Sequence, residues 1–507
     1  MILERKKNTI RNIIFGVGAR VVNMLFNFII RAVMIRILGT EYLGLNSLFT
    51  SILAVLNLAE LGFGTAMVFN MYEPISKNDV GMLCALLNLY KKVYRAIGGI
   101  ICVIGLMLVP FLKYLISGSV PDDINLIVVY LINLSGTVST YWLFAYRNSV
   151  LVAHQRNDII SKVNTVQVML QNVIQITLLF LTKNYYAYLI VVPIMTIFNN
   201  VTVAWLSKSK YPEIVPKGNV SKACIKEISN KISSLFLYKV GSVVSNTADN
   251  IVISAFLGLT VVGMYGNYYY IVSAIFGFLN IYYQSMSAGL GNKIAVDSIE
   301  KNKHLFSKLY FIQTWMIGWI SICVMCLLQD FICLWVGKGQ LFSMVLPLLL
   351  GVYIYIWKIN DIVYIFKDAS GLWEYDKFRP LISSICNLAL NVLLVNWIGI
   401  YGVVLSTIVC EFLFTTFWGC RVLYDKYFYC GFFEYLKMFL NSLVITIISA
   451  IVTVTICNTL RFNNIYVMFG AKLIVCIVAP NICYLLWAFK KWEFKEAIND
   501  FKSVLHF

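Results

Sequence analysis

Three side chains within an otherwise apolar stretch, Arg20, Asn27 and Arg31 in the run from Ile10 to Leu38, have the types and spacing to hold an anion. At about 100° per residue they fall within roughly 40° of one another around a helix, so they form one polar stripe. A cation at bilayer depth costs at least about 2.5–3.5 kcal/mol, so two on one face must look into water or onto an anion. The stripe recurs. A shift of 219 residues places Lys239 on Arg20, Asn246 on Asn27, Gly258 on Gly39 and Gly263 on Gly44, and Asn250 lies on the same side as Lys239 and Asn246. Arg offers phosphate a bidentate hydrogen bond and Lys a point charge, so the two stripes together suit a substrate bearing phosphate or pyrophosphate.

Carboxylates are also placed at depth. Glu60 falls near the middle of the second apolar run, Asp249 beside the Lys239 stripe, Glu411 inside a late run, and Lys358 and Asp361 near the end of another. Intramembrane carboxylates serve as carriers in ion-driven transport, which makes Asp249, Glu60 and Glu411 candidates for binding a coupling proton or sodium ion. The competing reading pairs Arg31 with Glu60 and Lys239 with Asp249 to hold the chain together, although a buried pair is weak evidence for stability alone. Other chemistry finds no support. The sequence has neither a GxxxxGK[ST] phosphate loop nor an HExxH helix, and His154, His304 and His506 read as separate surface residues. Thirteen cysteines lie mostly inside apolar runs, where the thiol acts as a small hydrophobe; the Cys323–Cys326 pair has no second pair at metal-binding spacing. No cofactor or metal is therefore expected.

These residues need a membrane to position them. Of 507 residues, 60% are hydrophobic and 13% charged, and mean hydropathy is +0.78, more apolar sequence than a water-soluble core absorbs. At ~20 residues per span the expected fold is an all-α polytopic membrane protein of about fourteen transmembrane helices. The net charge of +17 sits in short loops rather than in one basic domain, which argues against nucleic acid. Only Lys183, Lys338 and Arg461 fall in loops on one side, while the opposite loops carry most of the 41 Lys and Arg residues, so both termini are expected in the cytoplasm. The polar stretch 207–231 divides an N-terminal lobe of six helices (1–206) from a second lobe of six (232–422); a further helix pair and tail follow (423–507). An even number of helices per half makes the repeats parallel, with a site expected at their interface.

The motifs RILGTEYLGLNSLFTSILAVLNLAELGFGTAM (36–67), YRNSVLVAHQRNDIISK (146–162), TADNIVISAFLGLTVVGMYGNYYYIV (247–272) and KDASGLWEYDKFRPLISSICNLALNVLLVNWIGIYGVVLSTIV (367–409) keep both order and spacing. Together they resemble the Wzx-type polysaccharide repeat-unit flippases of the multidrug/oligosaccharidyl-lipid/polysaccharide exporter superfamily. The resemblance implies two six-helix lobes around a central cavity. It implies a bacterial plasma-membrane protein that moves undecaprenyl-pyrophosphate-linked oligosaccharides between leaflets for capsule, O-antigen or exopolysaccharide assembly, with a polymerase among its partners. It makes Arg20, Arg31, Lys239 and Asp249 cavity candidates. The final helix pair is similar to that of the lipid II flippases, which keeps a lipid II or teichoic-acid-type substrate as an alternative. A multidrug cation antiporter of the same architecture is the other, but it should present an acidic cavity. A membrane enzyme would need a sizeable outer loop, and no outer loop exceeds about fifteen residues.

Overall fold

A chain in hydrocarbon must satisfy its backbone polar groups internally, and this one does so with helices. The computed structural model describes the backbone of residues 5–60, 62–118 and 120–505, and their side chains except those of 5–17, 19, 59, 223, 227, 229–239, 242, 245, 246, 288, 373 and 503–505. No strand occurs among the described residues. Nine of the described helices are long and apolar enough to cross a membrane, ten if one bent pair counts as a single span, so a multi-pass membrane protein is clear. The expected fourteen is consistent with, rather than fixed by, that number.

Two compact units make up the chain, Met1–Gly266 and Asn267–Phe507. The first contains α1 (Arg5–Ile37), α2 (Thr40–Leu56), α3 (Phe63–Ser76), α4 (Val80–Leu108), α5 (Leu126–Trp142), α6 (Asn148–Ala153), α7 (Asn157–Thr182), α8 (Tyr185–Lys210), α9 (Lys222–Leu257) and the opening turns of α10 (Leu259–Val296). Side-chain caps start several of them: Asp79 accepts from the Met82 amide at 2.9 Å and Asn184 from the Tyr186 amide at 2.8 Å, each occupying a donor that the first helical turn leaves free. α9 packs on α2 and is pinned further where the Ser254 hydroxyl donates to the Leu115 carbonyl at 2.7 Å and the Ser117 amide to the Ser254 carbonyl at 2.8 Å.

The second unit contains the rest of α10, then α11 (Ile299–Val336), α12 (Val345–Lys358), α13 (Asp361–Ala369), α14 (Arg379–Ile398), α15 (Ile400–Cys410), a π-helical stretch (Glu411–Gly419), α16 (Cys420–Lys426), α17 (Phe432–Thr459), α18 (Ile465–Ala488) and α19 (Trp492–Leu505). α17 and α18, the pair beyond the repeat, pack on α11 and on each other. Lys472 of α18 pairs with Asp330 of α11 at 2.6 Å. α19 is held to the start of α11 by His304 with Glu496 and by Lys308 with Asp500, both at 2.8 Å.

Several spans that read as continuous in sequence are interrupted. The second is broken into α2 and α3 by a 3₁₀ turn, Asn57–Glu60, and Gly62 in the left-handed region (φ 88°), a conformation costly for any residue with a Cβ. The fourth bends by 47° between α5 and α6, the tenth breaks between α12 and α13, and the twelfth carries the π stretch after α15. Periodicity averaged over twenty residues hides such breaks, because the flanking half-helices keep the apolar composition of a whole one.

Where α2 crosses α10, the backbones touch. A Cβ on Gly44 would sit 1.9 Å from the Leu259 carbonyl oxygen, and one on Gly263 2.3 Å from that of Thr40. Those are the two glycines that the repeat aligns, each facing the residue four before the other. Gly99 in α4, by contrast, has nothing within 4 Å of its Cβ position. Gly44→Ala or Gly263→Ala should therefore lower the thermal unfolding midpoint in detergent, by an equivalent of about 1–3 kcal/mol. Gly99→Ala should raise it slightly, by about 0.5–1 kcal/mol. Equal midpoints for all three variants would contradict the crossing.

Candidate functional site

The first helix places its stripe as follows. Arg20 and Asn27 are exposed along α1, and Arg31, about one turn beyond Asn27, is half-buried. The Arg31 guanidinium and the Ser47 hydroxyl of α2 both border Gly266, within 3.4 and 3.6 Å of where its Cβ would be, so the absent side chain leaves room for them. Tyr188 of α8 lies within electrostatic reach of the same guanidinium. One turn along α2 from Ser47, Ser51 accepts a hydrogen bond from the Asn250 amide of α9 at 3.0 Å. A polar seam thus runs through the first unit from Arg31 by Ser47 and Ser51 to Asn250. Asp249 beside it is half-buried. Lys239 and Asn246 lie on α9, but their side chains fall outside the described residues.

Glu60 occupies the break between α2 and α3. Its partners are tyrosines: Tyr94 donates to one carboxylate oxygen at 2.5 Å, Tyr90 donates to Tyr94 at 2.8 Å, and Tyr141 reaches the other oxygen at 3.5 Å and Asn57 at 3.0 Å. The carboxylate also borders a cleft of about 680 Å³ within the first unit. Two amide oxygens on the cleft wall, of Asn148 and Asn199, are buried without a donor. The hydroxyls of Thr140 and Thr196 there donate to carbonyls of their own helices at 3.1 and 2.9 Å. The wall therefore presents unsatisfied amide oxygens together with amide N–H groups of the same asparagines, and it suits a proton, a cation or sugar hydroxyls.

The second unit has its own buried polar network. Lys358 pairs with Asp361 across the α12–α13 break at 2.9 Å, and Gln313 of α11 donates to the Lys358 carbonyl at 2.5 Å, capping a backbone oxygen that the break leaves free. Glu411 heads the π stretch and accepts from Thr415 at 2.6 Å; Arg379 in turn donates to Thr415 at 3.3 Å and to Asp376 at 3.0 Å, and Lys367 meets Asp376 at 2.5 Å. Long π stretches are rare and occur mostly at functional sites. Of the intramembrane carboxylates, Glu60, Asp361 and Glu411 each sit at an irregularity of their span.

Two basic residues at the ends of apolar runs, where a headgroup anchor is the default, are buried. Lys367 is enclosed in the Asp376 network, and Arg147 keeps one guanidinium nitrogen without a hydrogen-bond partner. His154, expected at the surface, is also buried: one ring nitrogen meets the Val150 carbonyl at 2.7 Å and the ring stacks on Tyr211 at 4.1 Å. Only a tertiary contact with the segment after α8 covers it, and spacing gives no sign of that.

A family model for polysaccharide biosynthesis protein matches residues 9–287. The chain belongs to the polysaccharide biosynthesis protein family. No curated protein matches it. Among solved structures it is similar to the lipid II flippase MurJ in an inward closed conformation, with 15% identity, 94% of this chain and 99% of that one covered, and a TM-score of 0.68. It is also similar to an inward-facing multidrug resistance MATE family transporter of the MOP superfamily (13% identity, 81% and 98% covered, TM-score 0.60). A third is a MOP superfamily transporter from Pyrococcus furiosus Vc1 (16%, 83% and 96%, 0.53), described by the reverse polarity of its binding pocket. At these identities the likeness establishes the fold, which is that of membrane transporters.

His154 offers a test of the first unit's basic end. Burial holds its imidazole below the ordinary value near 6.5, so the unfolded chain binds its proton more readily than the folded one. Its contribution to stability is full above about pH 6.5 and is lost as pH falls below it. The unfolding midpoint should drop between about pH 7 and pH 5, and the drop should shrink in His154→Gln. Superimposable profiles for the two proteins would rule out a buried neutral imidazole.

Proposed function

We propose that the protein is a flippase that carries undecaprenyl-pyrophosphate-linked oligosaccharide from the inner to the outer leaflet of the bacterial plasma membrane, by alternating access. The observation that carries this reading is the family match over 9–287; the basic residues Arg20 and Arg31 within the apolar run of the first helix support it. The Arg31–Ser47–Ser51–Asn250 seam supplies a cation with hydroxyl and amide groups, the set that a pyrophosphate and its first sugar require. Arg20, Asn27, Lys239 and Asn246 complete the binding stripe in this reading. Moving the head group through lipid unaided would desolvate phosphates and many hydroxyls, each costly when unpaired. A wet basic path removes most of that barrier.

An apolar cleft of about 520 Å³ in the second unit, walled by Phe311, Trp315 and Trp319 of α11 with Phe494, Ile498 and Phe501 of α19, suits the polyprenyl chain. Glu60 suits proton or sodium coupling, because its cleft offers amide oxygens and, among the described residues, its carboxylate is held by hydroxyls rather than by a cation. Asp249 and Glu411 remain the other coupling candidates. A multidrug cation antiporter is the second reading, favoured by the fold neighbour of that description; the basic stripe weighs against it. A lipid II or teichoic-acid-type flippase would use the same groups.

Reconstituted into vesicles with a defined polyprenyl-pyrophosphate-linked glycan, the protein should deliver substrate to the opposite leaflet. Arg20→Ala, Arg31→Ala and Lys239→Ala should each insert normally and lose transport at least about tenfold, the scale of a charge-assisted hydrogen bond. Full transport by the Arg31→Ala/Lys239→Ala double variant would defeat the assignment. Coupling is tested separately. Dissipating the proton and sodium gradients should slow wild type, while Glu60→Gln should be slow already and insensitive to dissipation. Undiminished transport without either gradient would remove Glu60 from the mechanism and leave the binding stripe standing.

A further inference from the structure

One motif that the transport reading leaves unused is the cysteine of the CVMC run in α11. In sequence it has no second pair, but the fold supplies what spacing does not. Cys326 of α11, Cys457 of α17 and Cys476 of α18 meet at one point, each buried, with their sulfur atoms all within 4.8 Å of one another. We propose that these three thiols form a binding site for a soft monovalent metal ion, copper(I), which ties the C-terminal helix pair to α11.

The donor set decides the class. Three sulfurs disposed around a metal at thiolate bond lengths of about 2.3 Å stand about 4 Å apart, so the observed grouping needs only small side-chain adjustments to close on an ion. All three donors are soft, and the surroundings are apolar: Ile322, Ile445 and Tyr484 belong to the same buried cluster. Soft thiolates in a dry site select copper(I) over magnesium, calcium or manganese, which require oxygen ligands. Zinc in a structural site takes four ligands. A further thiol, Cys323, donates to the Cys476 carbonyl at 3.9 Å and also meets the Cys476 thiol, but it lies outside the trio whose sulfurs are all mutually within 4.8 Å. A three-coordinate ion fits what is present.

Charge is provided for as well. One copper(I) that displaces two thiol protons, with the third thiol retained, gives a site of charge −1. One helical turn away on the same two helices, Lys472 and Asp330 form their ion pair, which brings an ammonium to the neighbourhood of the sulfurs. Small residues at helix crossings serve close packing in membranes, and that need alone would account for any one of these cysteines. Packing does not require three helices to aim sulfur at a common point.

The test uses the full-length protein, purified reduced in detergent and equilibrated with copper(I) held by a competing chelator, bathocuproine disulfonate. Wild type should retain one copper per chain, with only sulfur in its first coordination shell by X-ray absorption, and its unfolding midpoint should rise on loading. Cys326→Ser, Cys457→Ser and Cys476→Ser should each weaken retention at least about tenfold, since losing a direct ligand costs no less than losing an outer-shell partner. Cys84→Ser, a buried thiol of the other unit, should behave as wild type. Monodisperse elution of each variant without copper establishes that it is folded. No copper on folded wild type, or equal copper on the three variants, would overturn the site. So would two thiols of the three lost to a disulfide in the reduced preparation. Transport by the Cys476→Ser variant bears on the flippase reading independently, because that reading assigns these thiols no part.

Discussion

Hydrocarbon offers no hydrogen bonds, so the polar groups gathered at an irregular turn, backbone and side chain alike, must find partners inside the protein. This chain breaks its spans repeatedly and meets that demand with side chains from neighbouring helices. At the α12–α13 break, Gln313 caps the Lys358 carbonyl, while Asn360 donates to Thr416 at 3.0 Å and accepts from Tyr435. At the α2–α3 break, Tyr141 reaches Asn57 and Glu60 together. An unmet group would cost several kcal/mol in lipid, about as much as a whole domain can spare, so these contacts are conditions for the fold rather than additions to it. The irregularities and the charged residues coincide because each makes the other tolerable. A carboxylate placed at a break finds donors already gathered there.

The sequence makes one level of this organisation plain and conceals another. Hydropathy and loop charge reveal the helical class, and the 219-residue shift singles out Gly44 and Gly263, which do meet at the crossing of α2 and α10. That shift is informative because a repeated helix crossing needs small residues at both of its ends. The breaks are not visible, since Glu60 looks like one polar residue in an apolar run until the fold brings Tyr94 and Tyr141 to it from 34 and 81 residues away. The simple pairing of Arg31 with Glu60 fails to anticipate this: the described partners of Glu60 are hydroxyls, and Arg31 lies beside Ser47 and Gly266. Charge complementarity read from a helical wheel has no knowledge of which helix is the neighbour.

Burial of Lys367 and Arg147 shows the same limit from another side. A basic residue at the end of a span is usually an anchor that reaches the headgroups, and hydropathy cannot separate that case from a buried one. What separates them is a carboxylate positioned by a turn. Asp376 lies nine residues beyond Lys367, beyond the end of α13, and the 3₁₀ segment Leu372–Asp376 returns it to the lysine while Arg379 approaches from the start of α14. Removing Asp376 would leave two enclosed cations without their hydrogen-bonded carboxylate, a loss of up to about 3–5 kcal/mol by the usual scale for breaking a buried pair, eased by Asp368 and Glu411 within electrostatic reach.

The two kinds of polar site therefore differ in what they can do. In the Lys367–Asp376–Arg379 cluster both cations share one carboxylate, with Asp368 and Glu411 within electrostatic reach, so the arrangement is suited to holding a turn in place. Among the described residues Glu60 has neutral donors, and its cleft adds two amide oxygens that no described group satisfies. Arg20 and Asn27 occupy exposed positions of α1, and a cation within an apolar run calls for water or an anion. A transporter must leave such groups unsatisfied in one state, because a site already neutralised by the protein has no free energy left to offer its cargo.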